Sequence, residues 1–132
     1  MHRGNLMKKW TLIIFTLFLL FLADSCSRGP FKSQEKHLEL MGNPTTGYTW
    51  VYSFSDEEIV HIDENIEYLG RGGVTGAPSL YMYTLTSLKP GELILNFEYK
   101  RLWENEEPES KRIYKITVRE DGKIMMKEIK GE

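Results

Sequence analysis

From His37 onward, apolar and polar residues alternate in short runs separated by turn residues, and no apolar stripe of period 3.6 is long enough for a substantial helix. Leu38 and Leu40 alternate ahead of the turn residues Asn43-Pro44-Thr45-Thr46-Gly47, which read as a hairpin-like connection. After them Tyr48, Trp50, Tyr52 and Phe54 put four aromatics on one face of a strand, and that face is expected in the core. Ser55-Asp56-Glu57-Glu58 has the spacing of a capping box and predicts one helical turn before Ile59, Ile62 and Ile66 resume extended structure. Alternation returns from Ser79 to Leu88, and Lys89-Pro90-Gly91-Glu92 fits a type II turn. Next, Leu93, Leu95, Phe97 and Tyr99 point one way and Asn96, Glu98 and Lys100 the other, so one face is buried and one is wet. The pattern breaks at Arg101-Leu102-Trp103 and an acidic loop from Glu104 to Ser110 follows. Tyr114, Ile116 and Val118 mark another inward face, and Asp121-Gly122 predicts a hairpin turn into a last strand from Ile124 to Ile129.

About seven short strands in about a hundred residues predict an all-β fold, an immunoglobulin-like β-sandwich, although a small barrel satisfies the same pattern. In either architecture residues 43–48, 70–78 and 101–109 fall on connections, where a rigid framework holds loops without dictating their chemistry.

The beginning of the chain follows a different rule. Lys8 and Lys9 precede an apolar run of 14 residues from Trp10 to Ala23, shorter than the roughly 20 needed for a helix to span a bilayer, which predicts a secretory signal peptide over residues 1–25. It closes on Leu22-Ala23-Asp24-Ser25-Cys26, and a small residue directly before the only cysteine resembles the lipobox of bacterial lipoproteins, with Asp24 departing from the usual small residue. That resemblance implies a lipidated Cys26 at the mature N-terminus and an exported lipoprotein of a bacterial cell envelope, periplasmic or surface-facing. A plain signal peptide cut nearby would instead leave Cys26 a free thiol. Residues 26–36, polar after the cysteine with Gly29 and Pro30, read as a lipidated N-terminus and tether, and residues 37–132 as the folded domain.

Taking Arg3, Lys8, Lys9 and Asp24 from the 17 basic and 19 acidic residues leaves 14 and 18, a mature net charge near −4 that offers nothing to nucleic acid. The remaining 107 residues suffice for one domain with a modest core, expected as a monomer. With its cysteine committed to the terminus the domain has no disulfide to draw on, so burial and backbone pairing must supply its stability.

Catalytic chemistry is not in evidence. His37 and His61 lie in predicted strands without metal-ligand spacing, no serine stands on a nucleophile elbow, and Glu106 with Glu107 reads as a solvated loop face. No metal, cofactor or catalytic residue is expected, and the chain reads as a binder, not an enzyme. Its loops suit that role. Pro44 fixes its own φ and restricts Asn43, and Gly47 permits positive φ, so a stiff turn carries two small threonines suited to a narrow cleft. Four glycines between Tyr68 and Pro78 exclude a strand interior, and without a phosphate-binding lysine or a following helix they favour close approach of another chain's backbone.

Three motifs in order, Asn43-Pro44-Thr45-Thr46-Gly47-Tyr48, then Gly70-Arg71-Gly72-Gly73 preceded by Leu69, then Arg101-Leu102-Trp103, resemble the chagasin family of cysteine-protease inhibitors. The third departs from the family's Arg-Pro-Trp at Leu102. The resemblance implies a reversible, non-covalent inhibitor of papain-like cysteine proteases, whose first loop lies over the catalytic pair. Leu69 to Gly73 would run along the non-primed side, and Arg101 and Trp103 would hold the primed side. Read from the residues alone, Trp103 could equally belong to the core and Arg101 to the open surface. Two other classes satisfy the same pattern: an immunoglobulin-like surface lipoprotein that binds another protein or a polymer through these loops, and a structural envelope component.

Overall fold

In a computed structural model of the chain, residues 29–72 and 76–131 are described. The signal peptide and lipidation site expected before Gly29, including Cys26, and Gly73 of the second motif lie outside these residues. The chain forms β1 (Glu35–Gly42), a single 3-10 turn (Pro44–Thr46), β2 (Tyr48–Phe54), β3 (Val60–Tyr68), β4 (Ser79–Ser87), β5 (Gly91–Arg101), β6 (Ser110–Val118) and β7 (Ile124–Gly131). They make two antiparallel sheets, ordered β1-β4-β3 and β2-β5-β6-β7, in an immunoglobulin-like β-sandwich as the alternation predicts.

The alternation explains the core directly. Tyr81, Tyr83 and Leu85 of β4 face Leu93, Leu95 and Phe97 of β5, all buried, with the Tyr83 and Phe97 rings 4.7 Å apart between centroids. Tyr52 meets Tyr83 edge-on at 5.6 Å, so aromatic pairs join the two sheets, and Phe97 meets Tyr114 edge-on at 6.0 Å within the second. Of the four alternating aromatics in β2, Trp50 is buried and Tyr48, Tyr52 and Phe54 are half-buried on the same face.

Three turns differ from expectation. Residues 43–47 do not close a hairpin: β1 pairs with β4 and β2 with β5, so this turn carries the chain from one sheet to the other. At residues 55–58 no capping box forms, because the Ser55 hydroxyl accepts the Ile94 amide across the sheet at 3.1 Å and Asp56 Oδ1 accepts Glu58 N–H at 2.9 Å. Gly91 opens β5 opposite Val118 instead of sitting third in a type II turn. The expected tether is also partly built into the domain, since β1 begins at Glu35 and the residues before it pack on the sandwich.

That packing closes one pole. Ser87, fully buried at the end of β4, accepts Gln34 N–H at 2.9 Å and donates to the Gly122 carbonyl at 2.7 Å, while Ser33 Oγ donates to the Ser87 carbonyl at 2.6 Å. Lys32 N–H reaches the Asp121 carbonyl at 3.2 Å. Gly122 has φ of 90°, and a Cβ there would collide with the Lys32 backbone, so glycine serves both the turn and the docked chain.

Candidate functional site

The other pole gathers the three connections singled out in the sequence. Gly42, Ser79 and Tyr68 stand in register at one end of the first sheet, and Tyr48 pairs with Arg101 and Tyr99 with Ser110 at the same end of the second. Connections 43–47, 69–78 and 102–109 therefore emerge side by side.

The first of them is bonded throughout. Asn43 Oδ1 accepts from Thr45 N–H at 3.2 Å and from Thr45 Oγ1 at 2.5 Å, and the Asn43 carbonyl accepts from Thr46 N–H at 3.3 Å and Thr46 Oγ1 at 2.7 Å. Gly47 donates to the Pro44 carbonyl at 3.0 Å and ends the turn with φ of 83°. Both threonine hydroxyl hydrogens are thus turned back on Asn43, and the Pro44-Thr45-Thr46 tip is exposed.

Its neighbours brace it from either side. Asn43 Nδ2 donates to the Gly76 carbonyl of the second connection at 3.1 Å. Arg101 Nε donates to the Thr46 carbonyl at 3.0 Å, its guanidinium lies 4.4 Å from the Tyr48 ring centroid, and its Nη1 pairs with Glu104 Oε1 at 3.0 Å. The Glu104 carboxylate raises the Arg101 pKa, so this brace stays charged at any physiological pH. A Cβ on Gly47 would overlap the Trp103 ring, which lies across the glycine.

The structure decides what the residues alone left open. Trp103 is 70% exposed and Leu102 69%, so neither belongs to the core, while Arg101 is half-buried among its partners. Arg101 to Glu104 form a turn closed by Glu104 N–H on the Arg101 carbonyl at 3.3 Å, with Leu102 second, where type I and II turns accept proline. In the middle connection Leu69 N–H closes the loop on the Pro78 carbonyl at 3.0 Å, Leu69 is exposed, and Gly70 lies against the Tyr68 ring. Arg71 and Gly72 are exposed. Two residues that position this edge carry no motif: Tyr99, whose hydroxyl accepts Asn43 N–H at 2.7 Å, and Gly76. Tyr99's place last in an alternating apolar run was the only sequence signal for it, and that signal reads as core.

Among the described residues, no three histidines, cysteines or acids are grouped to hold a metal ion. His37 Nδ1 is 3.1 Å from Thr84 Oγ1 and His61 Nε2 is 3.3 Å from Asp63 Oδ1, both on exposed strand positions away from the loop edge.

The result is an immunoglobulin-like two-sheet sandwich with three adjoining connections at one end, the first braced from either side and all with exposed apolar side chains or glycines nearby. The model of the chagasin family peptidase inhibitors I42 matches residues 32–118, and the chain belongs to that family. Amoebiasin-1 of Entamoeba histolytica is 33% identical to it over 72 residues, 54% of this chain and 70% of that protein. The crystal structure of the cysteine protease inhibitor EhICP2 from the same organism aligns with a TM-score of 0.58 at 27% identity, covering 64% of this chain and 78% of that one.

Proposed function

We propose that the chain is a reversible inhibitor of papain-like cysteine proteases that occludes the active-site cleft with its three adjoining connections. The observation that carries this reading is the turn at residues 43–47, whose tip is exposed while its backbone is bonded within itself, its Asn43 side chain to the Gly76 carbonyl, and its Thr46 carbonyl to Arg101. A segment ordered before binding loses little conformational freedom when it enters a cleft. Pro44, Thr45 and Thr46 form the wedge over the catalytic pair, Leu69 to Gly73 line the non-primed side, and Leu102 and Trp103 cover the primed side with Arg101 as strut. Trp103 has the character of a binding hot spot, an aromatic held in place yet exposed in the free protein. Inhibition proceeds by occlusion alone, and the inhibitor is expected back uncleaved.

Titration of papain with the domain from Ser27 onward tests this. Stoichiometric, reversible loss of activity is expected, and no inhibition at micromolar concentration across several papain-like enzymes would sink the reading. A Thr46→Trp variant that folds normally should inhibit far more weakly, because the wedge must fit a narrow cleft.

We also propose that Cys26 carries lipid and tethers the domain to a membrane. This rests on the lipobox-like segment, as does the bacterial assignment. In its favour, the chain joins the sandwich at the Ser87–Gly122 pole, opposite the loops, so a tether there leaves the loop edge unobstructed. Mass spectrometry of the native N-terminus decides the matter, and an unmodified terminus at another residue rejects the anchor.

A further inference from the structure

The turn at residues 43–47 has four backbone positions, Asn43, Thr45, Thr46 and Gly47, with an N–H to satisfy, since Pro44 has none. Three are satisfied within the turn, by Asn43 Oδ1, the Asn43 carbonyl and the Pro44 carbonyl. The first, Asn43 N–H, points back to the sandwich and meets the Tyr99 hydroxyl at 2.7 Å. The same hydroxyl lies 3.5 Å from the Asn43 carbonyl oxygen, at the long limit of a hydrogen bond. Tyr99 therefore brackets the backbone of the residue from which the whole turn is hung.

Its ring has little freedom to do otherwise. It stacks on Tyr48 at 5.3 Å between centroids and lies tilted against Trp50 at 5.0 Å. Trp50 is itself fixed by its indole N–H on the Met41 carbonyl at 2.9 Å. On the third side the ring packs so close to Gly42 that a Cβ there would stand 3.2 Å from Tyr99 Cε2. The Tyr99 main chain is equally held, paired with Trp50 on one side and Ser110 on the other, and its carbonyl accepts Glu109 N–H of the third connection at 2.9 Å. One residue of a central strand thus links the first connection through its hydroxyl and the third through its carbonyl.

We propose that Tyr99 is a positioning residue for the loop edge, whose hydroxyl holds the Asn43–Gly47 turn in its binding conformation before any partner arrives. Inhibition enters as the consequence, and that part rests on the function proposed above. The flanking braces come from the Gly76 carbonyl of a loop and the Arg101 guanidinium at the end of β5, whereas the Tyr99 hydroxyl reaches the turn from a ring packed against the core.

The test is Tyr99→Phe in the full-length chain, which removes one oxygen and keeps the stacked ring. Tyr83→Phe serves as the matched control: the Tyr83 hydroxyl is buried without a hydrogen-bond partner, Glu64 being near enough to help burial raise its pKa but outside bonding geometry. Amide hydrogen exchange in the free protein should quicken about tenfold at Asn43 and its turn in Tyr99→Phe, with the β2 and β5 amides unchanged, as loss of one neutral hydrogen bond predicts. The inhibition constant for papain should rise roughly three- to tenfold, and Tyr83→Phe should move neither quantity. Unchanged exchange at Asn43, an equal rise across both sheets, or an effect of the same size from Tyr83→Phe would overturn the assignment. So would faster exchange at Asn43 with unaltered inhibition. If the unsubstituted chain does not inhibit papain, the proposed function fails, and the exchange measurement decides by itself whether Tyr99 positions the turn.

Discussion

The two poles of the sandwich both rely on hydrogen bonds but differ in how far they open apolar side chains to solvent, most of all at Leu102 and Trp103. At the Ser87 pole a buried hydroxyl ties three segments together, the incoming chain at residues 32–34 lies across the Asp121-Gly122 turn, and Leu88 and Lys89 N–H groups both reach the Ile59 carbonyl, at 2.9 and 3.4 Å. Ile59 is buried beneath them. At the Asn43 pole hydrogen bonds likewise fix the turn, yet Leu69, Leu102 and Trp103 stand in solvent. The closed pole buries Ile59 under its hydrogen bonds and leaves Leu88 half exposed at its edge. The open pole uses hydrogen bonds to hold a fixed backbone that pushes apolar groups outward, an arrangement that lowers stability slightly and is retained where a partner will cover them.

Substitutions at the two poles should therefore separate affinity from stability. The largest effect is expected from Trp103→Ala, which should weaken inhibition of a papain-like enzyme by about 2 kcal/mol or more, as hot spots do, and change unfolding stability by no more than about 0.5 kcal/mol. Inhibition constants and denaturant midpoints on one preparation check both halves. A folded variant with native affinity would remove the third connection from the interface.

Ser87→Ala is the mirror experiment. It strands the Gln34 N–H and the Gly122 carbonyl in a buried site, so stability should fall by about 1 to 3 kcal/mol while the inhibition constant stays within twofold, roughly the error of such measurements. A matching loss of affinity would mean that the poles are coupled and the comparison too simple.

The smallest effect should come from Leu102→Pro. Leu102 is second in its turn, where proline's φ is already favoured, and rigidity gained in the free protein should improve affinity by about 0.4 to 1 kcal/mol. Weaker binding would show that the Leu102 side chain is itself a contact.

Residues with one structural role were legible in the chain. The alternation through Leu93, Leu95 and Phe97 and through Tyr114, Ile116 and Val118 named buried positions correctly, because a strand with one wet face has a period that only side-chain polarity can write. Turn chemistry was legible where local bonds decide it, as with Pro44 and Gly47. It failed where a distant group won the competition, as when Ser55 bonded to the Ile94 amide of β5 and Asp56, not Ser55, took the Glu58 N–H. The family, too, could be read from three short motifs, since loop residues spared from packing are free to carry recognisable chemistry.

What the sequence by itself determined is thus an all-β domain, its inward faces, and three connections rich in residues for recognition. Tertiary structure alone decided that the Asn43 turn crosses between sheets instead of closing a hairpin, because strand pairing depends on partners more than thirty residues away, such as Gly42 with Ser79 and Tyr48 with Arg101. It also decided that Trp103 lies on the surface over Gly47, and that Tyr99, indistinguishable from a core residue in the pattern, spends its hydroxyl on the turn. Periodicity reports which way a side chain points. It cannot report what stands there, which only the assembled sheets determine.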